Sequence, residues 1–428
     1  MACFFIPAIN YFIHVPYISR TATPRNEKRR LFAPKKVLWQ ASPMNKMSPL
    51  DYFPNNYEES RKTFRFQVDQ LEGQLGQLKI PSKIDNDLSV DYAYWPALGV
   101  PETLLVLTSG IHGSETYAGA AILNLFMTEI LPKVDRQRIG FFLVHAMNPY
   151  GFKYHQRTTE AGVNLNRNFS VFGDLYKNPS DESLAFHEKF YESGPVTSLQ
   201  SKLLRAKQIE AGKVHFDGVT LDEITKAVAP GQFKSEKFVE YGGGKLEPQS
   251  KFLIEKMREI MPQYKKIVGL DLHTGLGDKN RLHLLTSGSG HDLHPDLFRQ
   301  LFDEKADEKI YVHTPATTEG FYTVRGALNS LFSDLATAGQ QICSITMEFG
   351  TLGHSLESQL EGLNSFILAH QGQYYGFASN ELEVEVRRQS FERSYPQTDE
   401  WRQAVLNSSR ELLKRILLRA GSYSADAS

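Results

Sequence analysis

The chain has 428 residues and is 41% hydrophobic, enough for one large core or two smaller ones. Its 48 basic and 49 acidic residues leave a formal charge of -1, which gives no electrostatic footprint for nucleic acid or an anionic membrane. Two cysteines, Cys3 and Cys343, exclude a disulfide framework, and no run reaches the roughly 20 apolar residues that a membrane helix needs.

The first 19 residues are apolar in patches broken by Pro7, Asn10, His14 and Pro16, with no basic residue before Arg20. A secretory signal therefore fits poorly, and a cytoplasmic location is favoured. From Arg20 to Lys46 the chain is basic, with Glu27 its only acid. Residues 1–47 read as a disordered extension, with a targeting arm as the functional alternative and Met44 or Met47 as an alternative start. A single folded domain is expected over 48–428.

Tyr57 to Leu71 has helical spacing, with Phe64, Phe66, Val68 and Leu71 set among charges. Leu88–Tyr94 and Leu104–Leu107 read as strands. Next comes Ser109-Gly110-Ile111-His112-Gly113-Ser114-Glu115, a Gly-rich turn before a small-residue helix that starts near Thr116 and stops before Pro132. Ile139–Val144 is a buried strand ending in a turn around Pro149 and Gly151. Residues 151–169 lack periodicity but are rich in Arg, Asn and Thr. Ser170 to Glu247 mixes charges with Gly and Pro around a helix at Leu184–Glu192 and reads as an insertion. Pro248–Met261 is helical. Ile267–Leu272, Leu282–Thr286, Ile310–His313 and Cys343–Phe349 are strands, and Glu357–Tyr375 and Gln397–Leu418 are amphipathic helices. Strands alternating with helices predict one α/β domain, with a central mixed, largely parallel twisted sheet flanked by helices.

Ligands of open α/β sheets bind outside the carboxyl ends of strands, and four stretches of chemical interest stand at such ends. They are His112 with Glu115; Arg157 with Gly162-Val163-Asn164-Leu165-Asn166-Arg167-Asn168-Phe169; Asp271-Leu272-His273-Thr274-Gly275; and Thr346-Met347-Glu348-Phe349-Gly350. In order, local sequence and strand context, from about residue 100 to 355, the chain resembles the zinc metallocarboxypeptidases of the carboxypeptidase A type. The start from Asp51 and the long middle segment look more like an uncharacterised branch of that superfamily than the digestive enzymes. Succinylglutamate desuccinylases and aspartoacylases are more distant relatives.

Two imidazoles and a carboxylate from His112, Glu115 and His273 can hold one zinc ion and leave its fourth position to water, whose pKa falls toward ~7. Glu348 is the candidate general base. Arg157 would face the carbonyl oxygen and stabilise the oxyanion. Asn166 and Arg167 would grip a carboxylate, the guanidinium fork matching two oxygens. The resemblance implies that this is the free C-terminus of a peptide; for Tyr322 it offers a mobile tyrosine closing over substrate, with an ordinary buried aromatic as the alternative. His145, His155, His283, His291, His294 and His313 show no comparable context and read as structural or surface residues.

Two departures from the family pattern stand out. Asn164 occupies a position usually held by Asp, the acceptor behind the first zinc imidazole; such acceptors fix the tautomer and raise basicity. The expectation is weaker zinc binding, or a charge supplied by Asp271. The third ligand also comes late, beyond Ser170–Glu247, which is expected to wall the entrance. An acyl-amino acid is the alternative to a peptide substrate. A zinc-binding module without catalysis is disfavoured by Glu348, since structural sites close their fourth position with a protein ligand.

Overall fold

In the computed structural model, which describes residues 49–177, 183–210, 213–286, 292–318, 324–353 and 355–424, the stretch as far as Tyr154 supplies four strands and three α-helices. These are β1 (Gln74–Lys79), β2 (Ser89–Trp95), β3 (Thr103–Ser109), β4 (Ile139–Val144), α1 (Tyr57–Gln70), α2 (Thr116–Leu125) and α3 (Pro149–Tyr154). The middle stretch forms short helices α4 (Asp174–Lys177), α5 (Leu184–Phe190), α6 (Lys202–Arg205) and α7 (Leu221–Val228). It also forms a small separate sheet of β5 (Lys207–Glu210), β6 (Lys213–Phe216) and β7 (Val219–Thr220). Then come α8 (Pro248–Ile260), β8 (Lys266–Gly275), β9 (Leu282–Thr286), α9 (Pro295–Leu301), β10 (Tyr311–Pro315), α10 (Leu328–Asp334), β11 (Gln341–Gly350), α11 (Leu356–Tyr375), α12 (Asn380–Ser394) and α13 (Asp399–Arg419).

The main sheet has eight strands in the order β1-β2-β4-β3-β8-β11-β9-β10. The four central strands β4, β3, β8 and β11 are mutually parallel; the β1–β2, β2–β4 and β11–β9 pairings are antiparallel, and β9 and β10 pair parallel. The expected mixed, largely parallel α/β sheet is what forms. Its central strands are apolar on both sides because both sides are covered. Leu105, Leu107, Leu270, Leu272, Ile345 and Met347 face α2 and α13, while Leu104, Val106, Ile267 and Ile342 face α8 and α10. Each such Leu or Ile contributes on the order of 1.5–3 kcal/mol on burial.

Differences from the sequence expectation have local causes. The helix expected to run to Pro132 ends its α-helical part at Leu125, passes through a π turn at Phe126–Ile130 and closes as a 3-10 turn at Leu131–Lys133, where Pro132 lacks an N–H. Strand β1 is polar and largely exposed at a sheet edge, so it lacks an apolar run. Helix α12 carries charge around its circumference and is laced by Arg387–Glu383, Arg388–Glu385 and Arg388–Glu392 pairs, which hides its period.

Candidate active site

The centre begins where the chain leaves β3. Gly110 takes φ +70, which an L side chain resists, and a Cβ there would strike Thr116 Oγ1. Gly113 lies so close to Gly151 of α3 that a Cβ would overlap its backbone. Between these contacts Gly113–Glu115 makes a 3-10 turn. At three residues per turn, positions 112 and 115 fall on one side. His112 Nδ1 accordingly lies 2.9 Å from Glu115 Oε1.

Strand β8 supplies the third group. Period-two alternation puts Asp271 and His273 on one face. His273 Nδ1 is 3.0 Å from Glu115 Oε2, and its Nε2 is 2.6 Å from Asp271 Oδ2. Asp271 also accepts from Thr108 Oγ1 at 2.6 Å, and Glu115 accepts from the Thr274 N–H at 3.2 Å. The donor atoms of His112, Glu115 and His273, all buried, lie within 4.8 Å of one another.

The hydrogen bonds behind the imidazoles decide which nitrogens face inward. Asn164 Nδ2 donates to Glu240 Oε2 at 2.6 Å, and Asn164 Oδ1 accepts from the Asn166 N–H at 2.9 Å. Oδ1 therefore faces His112 Nε2, at 3.1 Å, as an acceptor, so that nitrogen carries the proton. Asp271 does the same for His273. The neutral rings then present two Nδ1 lone pairs to the Glu115 carboxylate. These acceptors repel unless positive charge lies among them. A proton on His273 relieves one contact; a divalent cation relieves all of them, and two nitrogens with one oxygen are a donor set that zinc accepts. The residues fit that metal.

Charges follow the same geometry. Burial and the Arg157 guanidinium push His112 down to about 4. Burial opposes a charge on His273, but Asp271 and Glu115 outweigh it and raise this imidazole well above its ordinary value. Glu115 lies below the usual carboxylate range, since the two imidazoles overcome its burial.

Glu348 arrives on β11, beside β8. Its Oε1 accepts the Leu276 N–H at 2.8 Å. Burial pushes its carboxyl up to about 7, with the Glu115 charge adding to the effect and His273, the Leu276 N–H and Arg157 pulling back. A carboxyl near neutrality suits proton transfer.

These groups line a cavity of about 320 Å3 together with Arg157, Asn166 and Arg167. Arg157 lies 4.8 Å over the Phe366 ring of α11, with Nη1 3.3 Å from Glu115 Oε1 and Nε 3.4 Å from Glu240 Oε1. Asn166 Oδ1 accepts from the Leu328 N–H at 3.0 Å and so caps α10. Arg167 is 2% exposed. It donates from Nε and Nη2 to the Ala229 carbonyl at 3.0 and 2.7 Å, and from Nη1 to the Asn166 carbonyl at 2.9 Å; Nη2 is also 2.9 Å from Glu240. Tyr322 and residues 1–47 lie outside the described residues. His145 is buried against Phe64 and Ser60, away from the cavity. Asp271 backs His273, whereas the acceptor behind His112 is Asn164.

Three residues at the site escaped the sequence reading. Phe366 and Arg393, which meet at 5.0 Å, come from helices without a catalytic motif. Glu240 sits in the charged middle stretch. Its one signal is the run Gly242-Gly243-Gly244 just after it, marking a close backbone approach. A Cβ on Gly242 would meet the Arg167 carbonyl, and the Asn164 N–H donates to the Tyr241 carbonyl at 2.7 Å.

Fold and site together define a mixed, largely parallel α/β protein with a buried His–Glu–His group able to hold a metal at its strand ends. Residues 53–408 match the family described as "Protein of unknown function (DUF2817)", and the chain belongs to that family. No curated protein matches it. Similar solved structures include bovine thrombin-activatable fibrinolysis inhibitor in complex with tick carboxypeptidase inhibitor, at 15% identity over 79% of this chain and 99% of that one, TM-score 0.42. Carboxypeptidase A from Helicoverpa armigera is 14% identical over 79% and 73%, TM-score 0.40. A metallo-carboxypeptidase from Burkholderia cenocepacia is 12% identical over 76% and 70%, TM-score 0.39. Among the described residues, no helix is long and apolar enough to cross a membrane.

Proposed function

We propose that the chain is a zinc-dependent hydrolase of the carboxypeptidase type, cleaving an amide bond next to a free carboxylate. The observation that carries this reading is the convergence of His112 Nδ1, Glu115 and His273 Nδ1 beside Glu348 on one cavity. Zinc, when bound, supplies Lewis acidity and lowers the pKa of a water toward ~7. Glu348 takes the proton from the attacking water and later delivers it to the leaving amine; its carboxyl, near 7, suits both transfers. Arg157, aligned over Phe366, stabilises negative charge on the carbonyl oxygen. Asn166 and the remaining donor capacity of Arg167 hold the substrate carboxylate.

The engagement of Arg167 by Glu240 and the Ala229 carbonyl favours one alternative, an amidase that does not read a terminal carboxylate. Paired substrates separate these readings: a peptide with a free C-terminus, the same peptide amidated, and an N-acyl amino acid, each assayed with and without zinc. A carboxypeptidase cleaves the first far faster than the second. Fastest turnover of the acyl-amino acid would make the protein an acyl-amino acid amidohydrolase, and no zinc-dependent turnover of any would overturn the hydrolase reading.

A further inference from the structure

The two metal-facing imidazoles are backed unequally. Behind His273 stands a carboxylate, Asp271, in direct contact. Behind His112 stands a neutral amide, Asn164. That amide is not the end of the chain of contacts, because its Nδ2 donates to Glu240 Oε2 at 2.6 Å. Both imidazoles thus have a negative charge behind them, one directly and one relayed through an amide. The same Glu240 carboxylate lies 2.9 Å from Arg167 Nη2 and 3.4 Å from Arg157 Nε. It is held in place by an unusual backbone: Glu240 takes φ +57, and its carbonyl accepts the Gln232 N–H at 3.0 Å.

We infer that Glu240 is a positioning residue of the metal centre, which supplies through Asn164 the negative charge behind His112 and seats Arg157 and Arg167 around one shared carboxylate. The inference rests on the zinc-centre reading above. The mechanism is electrostatic and geometric. A charge at Glu240 orients the Asn164 amide, so that Oδ1 always accepts from His112 Nε2 and Nδ1 keeps its lone pair for the metal. It also offsets the two guanidinium charges, which would otherwise repel a cation held by His112 and Glu115.

The test moves the charge instead of only deleting it. Zinc affinity is measured on the full chain by competition with a chelator of known affinity, alongside the melting temperature of the metal-free protein. Glu240→Gln should weaken zinc binding roughly 10- to 100-fold, the usual effect of losing a group behind a metal ligand. Combining Glu240→Gln with Asn164→Asp returns one carboxylate to the relay, now in direct contact with His112, and should restore affinity to within a few-fold of wild type. A side chain that merely fills space would not be rescued by a change at another position. If Glu240→Gln alone does not fold, recovery of a folded, zinc-binding protein in the double variant supports the inference, and failure to recover overturns it. Wild-type zinc affinity in Glu240→Gln, or a double variant as weak as the single, overturns the inference and leaves the zinc centre standing. A wild-type protein that binds no zinc overturns the zinc-centre reading and this inference with it.

Discussion

Glu348 and His273 are register partners on adjacent parallel strands, β11 and β8, with their side chains on the same face of the sheet. The carboxylate proposed to handle the proton therefore stands beside an imidazole proposed to hold the metal. Strand pairing, not a flexible loop, sets their separation.

Glu348→Gln should keep zinc and substrate affinity and lose turnover by roughly two to four orders of magnitude, the range of a general acid–base contribution. The amide preserves the hydrogen bond to the Leu276 N–H but cannot take a proton. Steady-state kinetics with zinc quantified in the same sample decide the point: more than a tenth of the wild-type rate would place the base elsewhere.

Metal binding should reach one zinc per chain and reverse with a chelator. His112→Ala and His273→Ala should each remove most of it. Asp271→Asn should weaken it roughly 10- to 100-fold without abolishing it, since it removes only the charge behind His273. Zinc analysis of the three purified variants checks the ranking, and full occupancy in both alanine variants would locate the ligands elsewhere.

Arg167→Lys should spare zinc and reduce the preference for a free acid over an amide. Lysine keeps the charge but loses the fork that meets the Ala229 carbonyl, the Asn166 carbonyl and Glu240 together. The loss should show in KM and, as positioning slackens, partly in kcat. Equal wild-type rates on acid and amide would confine Arg167 to holding Glu240 and the Ala229 and Asn166 carbonyls.

Acid sensitivity should include a term from His145. This residue is buried, with Nε2 2.7 Å from Ser60 Oγ, and burial, with help from Arg61 and Arg65, pushes it down to about 3. Its unfolded value is ~6.5. Above ~6.5 neither state is protonated and the residue is neutral to stability. Between ~6.5 and ~3 the unfolded chain takes a proton that the folded chain refuses, so stability falls as pH falls, by at most ~1.4 kcal/mol per pH unit. His145→Gln in chelator-treated protein should flatten the unfolding free energy between pH 6 and 4. An unchanged slope would trace the sensitivity to other groups.

What the sequence disclosed was local. His112, Glu115, His273 and Glu348 each follow an apolar run at a strand end, so strand periodicity alone places them on one rim of the sheet. Asn164 was legible as a missing charge, but the replacement was not, because Glu240 reaches it only after the stretch between Ser170 and Glu247 folds back on Asn164–Asn168. Arg167 reads from sequence as a group to grip a substrate carboxylate. Its engagement by the Ala229 carbonyl depends on tertiary placement that no spacing encodes. Helix α12, bringing Arg393 to the cavity, was hidden by charge on every side.

Glu240 belongs to a stretch that contributes none of the proposed metal-holding side chains, and this makes the centre severable. A protease nick between Val228 and Glu240 would leave His112, Glu115, His273 and Glu348 on the main sheet and its adjoining turn, while loosening the carboxylate that Arg157 and Arg167 share. Limited digestion should then extinguish turnover before the circular dichroism of the sheet changes, and before zinc is fully lost. On this reading the weakest part of the protein is the continuity of its polypeptide chain, and its vulnerability in a protease-rich setting is set by a peptide bond some distance from the proposed metal centre.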